Sequence, residues 1–138
     1  MAIHFFNEDT DFILPDTEGT SKWINKVLNE EKRQAKIINY IFCSDKHLLK
    51  LNQQYLNHET LTDIITFDNS ELPDMLEADI FISVDRVKDN ASQLNTVFDN
   101  ELHRVMIHGL LHLIGYNDHT DDEKQVMRKK EDACLSLR

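Results

Sequence analysis

His108 and His112 lie four residues apart in an apolar segment, a spacing that could bind one metal ion. In an α-helix, residues four apart lie one turn apart on the same face, so both imidazoles can chelate a single cation. Gly115 then ends the predicted helix, and the chain can fold back to bring His119 in as a third ligand. Three histidines with an open fourth position are typical of a catalytic zinc site.

The alternative is that His108 and His112 are core histidines bonded to backbone carbonyls. The helix is apolar on nearly all sides from 105 to 114, and polar rings in such surroundings need partners. We favour the metal site because the pair, the glycine stop and a third histidine occur together. The ion is predicted to be zinc, although imidazole ligands also suit other divalent transition metals.

Two neighbouring positions indicate which reactions the site could catalyse. Asp118 could orient an imidazole or assist proton transfer as a catalytic group, or it could cap the turn. The zinc-protease pattern HExxH places a general-base glutamate directly after its first histidine, but here that position is Gly109. A glutamate-driven peptidase mechanism therefore lacks its base, whereas a metal could still acidify water and polarise a phosphoryl oxygen.

The elements that must position these residues alternate between strand and helix. We predict a helix after a turn at 17–20, a helix capped by Ser44, and a last helix opened by a capping box of Thr120 and Glu123. Strands are predicted at 3–6, 36–43, 63–67 and 78–84, a loop or hairpin connection at 69–74, and further helices at 85–94 and 98–114. This order predicts an α+β fold: a small mixed β-sheet packed with helices, with the metal-binding helix in the C-terminal half.

Composition narrows the class of protein. Of 138 residues, 41% are hydrophobic and 29% are charged, which is typical of a globular protein, and we expect one domain over residues 1–138. The net charge of −10 argues against a protein that coats duplex DNA. The sequence has no apolar stretch near the roughly 20 residues of a membrane span and no signal peptide, so we expect a cytoplasmic protein. Cys43 and Cys134 are expected to be reduced thiols.

The histidine segment resembles the YbeY family, whose pattern is H-G-x-L-H-L-x-G-Y-D-H. The matching residues are His108, Gly109, Leu111, His112, Leu113, Gly115 and Tyr116, then Asp118-His119. Two supporting segments, 51–67 and 78–83, resemble the family patterns L-N-x-x-(F/Y)-R-x-x-D-x-x-T-D-V-L-S-F and G-D-I-x-I-S. In order and spacing, the resemblance covers about the last two-thirds of the chain.

The resemblance implies a compact α+β domain with zinc held by three histidines, here His108, His112 and His119. It implies a metal-dependent, single-strand-selective endoribonuclease acting in ribosomal RNA maturation, including small-subunit rRNA processing, and in ribosome quality control. The implied partners are single-stranded and ribosomal RNA and ribosomal particles, in the cytoplasm, with no membrane and no DNA. Either water or the RNA 2′-hydroxyl could attack the phosphorus.

Three departures from the family pattern matter. Asn117 is an extra residue, so His119 stands seven residues after His112 rather than six. Leu56 occupies the place of a family arginine, so contacts to phosphate must come from elsewhere or activity is weakened. Ala78 replaces a glycine within a strand, which is a milder change.

Other polar residues keep two interpretations each. Asp63 could hydrogen-bond a metal-ligating histidine, or it could cap the start of a strand. The basic run 128–130 could contact RNA phosphates, or it could form a solvated helical face. Two alternative functions also stand: a non-catalytic ribosome assembly factor with a structural zinc, and a zinc peptidase, which Gly109 makes the weakest candidate.

Overall fold

A computed structural model describes residues 2–56 and 62–138 of the chain, so that His58, in the second motif segment, lies outside the described residues. The elements are β1 (Ile3–Asn7), α1 (Thr17–Glu30), β2 (Gln34–Cys43), α2 (Asp45–Leu56), β3 (Ile64–Asp68), β4 (Met75–Ser83), α3 (Val84–Gln93), α4 (Phe98–Ile114) and α5 (Asp121–Leu135). They agree with the predicted elements to within a few residues.

The strands form a four-stranded sheet in the order β1-β2-β4-β3. β1, β2 and β4 run parallel, while β3 is antiparallel to β4 and joins it through the predicted connection at 69–74. The parallel pairs require crossover connections, which α1, between β1 and β2, and α2, between β2 and β3, help to provide. The predicted α+β fold with a small mixed sheet is therefore confirmed.

The main core lies on the sheet face that α1 and α4 cover. Alternate strand residues point into it, including the fully buried Tyr40 and Ile80, because successive side chains of a strand face opposite sides. The Tyr40 hydroxyl donates to the backbone oxygen of Met106 on α4 at 3.1 Å, which ties the helix to the sheet. A smaller cluster on the opposite face contains Leu48 of α2 and Ile65 of β3.

Local sequence signals set most helix ends. The backbone N–H of His47 donates to the Ser44 hydroxyl at 3.1 Å, and Thr120 and Glu123 exchange both hydrogen bonds of a capping box, as predicted. The predicted turn at 17–20 is wrong, because these residues form the first turn of α1. Its N-cap is Asp16, whose carboxylate accepts from the backbone N–H of Gly19.

The last helix is anchored to the first. The Trp23 indole N–H donates to the backbone oxygen of Cys134 on α5 at 2.8 Å.

Cys43 and Cys134 are both free and buried, in agreement with the prediction of reduced thiols, and burial raises the pKa of Cys43 to about 12. Within the described ranges, no helix is both long and apolar enough to cross a bilayer.

Candidate metal centre

His108 and His112 project from the same face of α4 into a shared space. Their side chains are partly exposed, at 23% and 30%, while the helix around them is largely buried. Their Nε2 atoms lie 3.0 Å apart, and the ring planes are nearly perpendicular. The predicted chelating geometry of the pair is therefore present, and the alternative of two histidines bonded only to backbone carbonyls does not describe it.

Gly109 allows α4 to approach the sheet closely behind this pair. A Cβ atom at this position would lie 2.6 Å from the Ile64 side chain and 3.3 Å from the side chains of Thr66 and Ile80. The residue thus faces the strands rather than the space in front of the histidines. A glutamate at this position would point into the sheet, so the HExxH arrangement has no counterpart in this structure.

The chain reverses after α4 and returns a carboxylate to the pair. Gly115 has a φ of 121°, a conformation that favours glycine, and the backbone N–H of Tyr116 donates back to the oxygen of Leu111 at 3.0 Å. Three residues after the turn, Asp118 places its two carboxylate oxygens 3.4 Å from His108 Nε2 and 3.6 Å from His112 Nε2. Asp118 is thus the third member of the cluster.

His119 lies beside the cluster in sequence but does not join it in this structure. Its residue is exposed, its ring nitrogens fall outside the group formed by the other three residues, and its backbone N–H donates towards the Glu123 carboxylate. His119 as a metal ligand stays a prediction. The sequence could have indicated Asp118 as a ligand, because it stands six residues after His112, which is the spacing of the third histidine in the family pattern.

The donor set fits a zinc ion. In a tetrahedral site with bonds of about 2.0–2.1 Å, neighbouring donor atoms lie roughly 3.3–3.4 Å apart. His108 Nε2 and His112 Nε2 lie 3.0 Å apart, close to that value, and each lies near a different oxygen of the Asp118 carboxylate, at 3.4 and 3.6 Å. One ligand atom from each of the three residues lies within 4.8 Å of the other two. Two imidazoles and one carboxylate also leave the fourth position for water or substrate.

A buried carboxylate on α5 orients His108, and the sequence reasoning missed it. Glu131, whose side chain is 6% exposed, accepts from His108 Nδ1 at 2.6 Å and from Arg104 at 2.9 Å. Because the carboxylate holds the proton on Nδ1, the Nε2 lone pair of His108 is free for a metal. The sequence pattern could have indicated a buried carboxylate here, because Glu131 lies on the same helical face of α5 as Met127 and Cys134, which are also buried.

The same contacts set the protonation of His108. Burial disfavours the charged imidazole, but the hydrogen bond and charge of Glu131, together with the charge of Asp118, outweigh burial and raise the pKa of His108. Burial has the opposite effect on the pKa of the neighbouring carboxyl groups Asp63 and Glu101, which it raises. The charges of Glu131, Asp118 and Asp63 all favour positive charge on His108, as expected beside a cation site.

Asp63 lies near the pair, just before β3. Its side chain accepts from the Asn90 amide at 3.4 Å, and its backbone oxygen accepts from Ser83. Asp63, His108 and Asp118 all line two cavities, of about 240 and 560 Å³, which meet at the cluster. The cluster is thus open to solvent from two sides.

The basic run 128–130 does not act as one surface. Lys130 pairs with Glu31 at 2.7 Å, away from the cluster, and Lys129 is exposed. Arg128 is the member of the run that lines the smaller cavity, whereas Leu56, in the place of the family arginine, lines the larger one.

Comparisons with known proteins identify the family of this chain. The family model described as endoribonuclease YbeY matches residues 4–137. A protein named endoribonuclease YbeY from Cytophaga hutchinsonii is 54% identical over 137 residues, covering 99% of this chain and 96% of that protein. One of the same name from Flavobacterium psychrophilum is 48% identical over 132 residues, covering 96% and 94%.

A solved structure shows the same architecture. The solution structure of TM1509 from Thermotoga maritima superposes with a TM-score of 0.68 at 26% identity, covering 98% of this chain and 87% of that one. With the family model spanning nearly all residues and relatives at about half identity, the chain belongs to the endoribonuclease YbeY family.

Proposed function

We propose that this protein is a zinc-dependent endoribonuclease that cuts single-stranded RNA, as one hydrolase domain over residues 1–138. The observation that carries the proposal is the cluster of His108, His112 and Asp118, with three ligand atoms within 4.8 Å of one another and two cavities that reach it. Family membership supports RNA as the substrate, since the relatives are named endoribonucleases.

The residues around the cluster have different roles. A zinc ion held by His108, His112 and Asp118 would supply Lewis acidity, which lowers the pKa of water and stabilises charge on a phosphoryl oxygen. Glu131 holds the His108 ring in the tautomer that a metal needs, and Arg104 keeps the Glu131 carboxylate in place. Asp118 serves as the third ligand rather than as a proton-transfer group, because its carboxylate lies against both imidazoles.

We further infer that the substrate is ribosomal RNA, that the protein meets ribosomal particles in the cytoplasm, and that it acts in small-subunit rRNA maturation and ribosome quality control. This inference rests on the resemblance of the histidine motif to the YbeY family and on the match of the whole chain to that family. It predicts that the purified protein cleaves single-stranded regions of small-subunit rRNA in preference to duplex regions.

The test combines metal analysis with cleavage of a single-stranded RNA oligonucleotide. We expect one zinc ion per chain and metal-dependent cleavage by the wild type, loss of both in His112→Ala, and retention of both in the control His47→Ala, a histidine on α2. Full nuclease activity in purified His112→Ala would refute the proposal and point to a contaminating nuclease.

The same assay decides the third ligand. If Asp118 completes the site, Asp118→Asn lowers zinc affinity and cleavage while His119→Ala leaves both close to wild type. The reverse result would establish His119 as the ligand and would require the segment after Gly115 to adopt another path.

A second function, a non-catalytic assembly factor with a structural zinc, is favoured by one observation. The larger cavity has Leu56 in its wall, and its described lining residues include no lysine or arginine to contact phosphate. This function predicts a fourth protein ligand and unfolding of α4 and α5 when the metal is removed. Among residues 2–56 and 62–138, three donor residues meet at the site, which supports the catalytic function.

A further inference from the structure

The two cavities at the metal centre differ in charge. The larger, about 560 Å³, runs past β3 and α2 and has polar neutral and apolar walls apart from the cluster and Asp63. The smaller, about 240 Å³, runs along α5, where Lys124 and Arg128 form part of its wall. Lysine and arginine side chains therefore line the smaller cavity, whereas the described lining of the larger one has none.

Lys124 and Arg128 are the cations of this wall that remain available to a ligand. They are four residues apart on α5 and so extend from one helix face. Arg128 is 61% exposed, and its carboxylate neighbour Glu131 is 4.0 Å away, at the limit of an ion pair. Lys124 is exposed, and its side chain forms no ion pair within the described part of the chain.

The third cation of the wall, Arg104, is already neutralised. It is 19% exposed and donates to Glu131 at 2.9 Å and to Asp132 at 2.6 Å. Arg104 thus stabilises the contact between α4 and α5 rather than offering charge to a ligand.

The acidic residues of the smaller cavity lie against other groups or deeper than the two free cations. Glu131 is engaged by His108 and Arg104, Asp118 lies against the histidine pair, and Asp63 accepts from Asn90. An anion entering from the solvent side meets Lys124 and Arg128 first, because both are exposed while Glu101 and Glu131 are buried.

We propose that Lys124 and Arg128 bind a backbone phosphate of single-stranded RNA next to the phosphodiester at the metal centre. This inference rests on the proposed function and adds to it the path that the RNA strand takes across the site. The strand runs from a phosphate contact on α5, across the cluster, to the larger cavity, where Leu56 and Thr66 can contact the uncharged ribose and base.

The experiment measures RNA binding against salt. The probe is a short fluorescent oligouridylate with 2′-O-methyl riboses, titrated by anisotropy at several salt concentrations. The test variant is Lys124→Gln with Arg128→Gln, which keeps the aliphatic stems. The control is Lys22→Gln with Lys129→Gln, two exposed helical lysines whose loss changes the net charge equally and which do not line the smaller cavity.

We expect the test variant to bind the probe roughly tenfold more weakly than the wild type at low salt, because it loses two ion pairs that solvent partly screens. The slope of log affinity against log salt should fall by about 0.7, since one single-strand phosphate contact contributes roughly that much. The control should match the wild type, and the charge-conserving variant Lys124→Arg with Arg128→Lys should regain the slope. Zinc content should be equal in all of them.

Two results would overturn the inference: a test variant whose affinity and salt slope match those of the control, or a wild type that does not bind the probe. Cleavage is scored separately. If the wild type cleaves RNA while the test variant binds normally, the phosphate site fails and the proposed function stands. If the wild type binds through these two residues but never cleaves, the nuclease fails and the phosphate site stands.

Discussion

Replacing Glu131 with glutamine is expected to weaken zinc binding because the carboxylate serves two donors at once. One of its oxygens accepts from His108 Nδ1 at 2.6 Å and the other from Arg104 at 2.9 Å. Glutamine has a single acceptor oxygen. If that oxygen turns to Arg104, the amide NH2 group faces His108 Nδ1 and favours the tautomer with a proton on Nε2, where the metal must bind.

The magnitude follows from the loss of one charge-assisted hydrogen bond in a buried place. Glu131 is 6% exposed on its side chain, so solvent does not replace the lost bond. Such bonds contribute about 1.5–3 kcal/mol, and loss of a carboxylate behind a metal-bound histidine typically costs 10- to 100-fold in metal affinity. We therefore expect Glu131→Gln to weaken zinc affinity by roughly 10- to 100-fold.

The assay is a competition titration between the apoprotein and a zinc-chelating dye at neutral pH. Asp132→Asn is the matched control, because Asp132 is the other carboxylate bound to Arg104 but has no contact with His108, and its side chain is 59% exposed. Its affinity for zinc should stay within about twofold of wild type, as expected for an exposed pair. Equal affinity in Glu131→Gln and Asp132→Asn would refute a positioning role for Glu131.

Three further changes test the fold around the site. Gly109→Ala should lower the free energy of unfolding in urea by about 1 kcal/mol, because crowding against Ile64 outweighs the gain in helix propensity; unchanged stability would mean that α4 moves away without cost. Glu101→Gln should raise Tm at neutral pH. Burial raises the pKa of Glu101, so the folded state loses stability as pH rises from the ordinary value of 4.5 through the raised one. The gain in Tm should therefore disappear in acid, and a gain in Tm that persists below pH 4.5 would show that the charge of Glu101 is not its cause. Thr120→Ala should cost about 1 kcal/mol by removing the capping box of α5, whereas Thr120→Ser should keep most of it; equal unfolding midpoints for both variants would argue against the cap.

The sequence determined those features that depend on neighbours within a few residues. The spacing of His108 and His112 implies a chelating pair once a helix forms, since helical geometry fixes residues four apart on one face. The stop at Gly115 and the capping box at Thr120 are equally local. Alternation and β-branched residues likewise predicted each strand, because they report a pleated, half-buried surface.

Only the tertiary structure decided which distant groups lie against the histidine pair. Asp118 and His119 are adjacent, and the path of the chain after Gly115 places the carboxylate against the pair in this structure. Glu131 lies 23 residues beyond His108, and it reaches that ring only because α5 packs on α4. Helical and strand periodicity describe how one segment faces its surroundings, but contacts between distant segments depend on packing, which no local pattern contains.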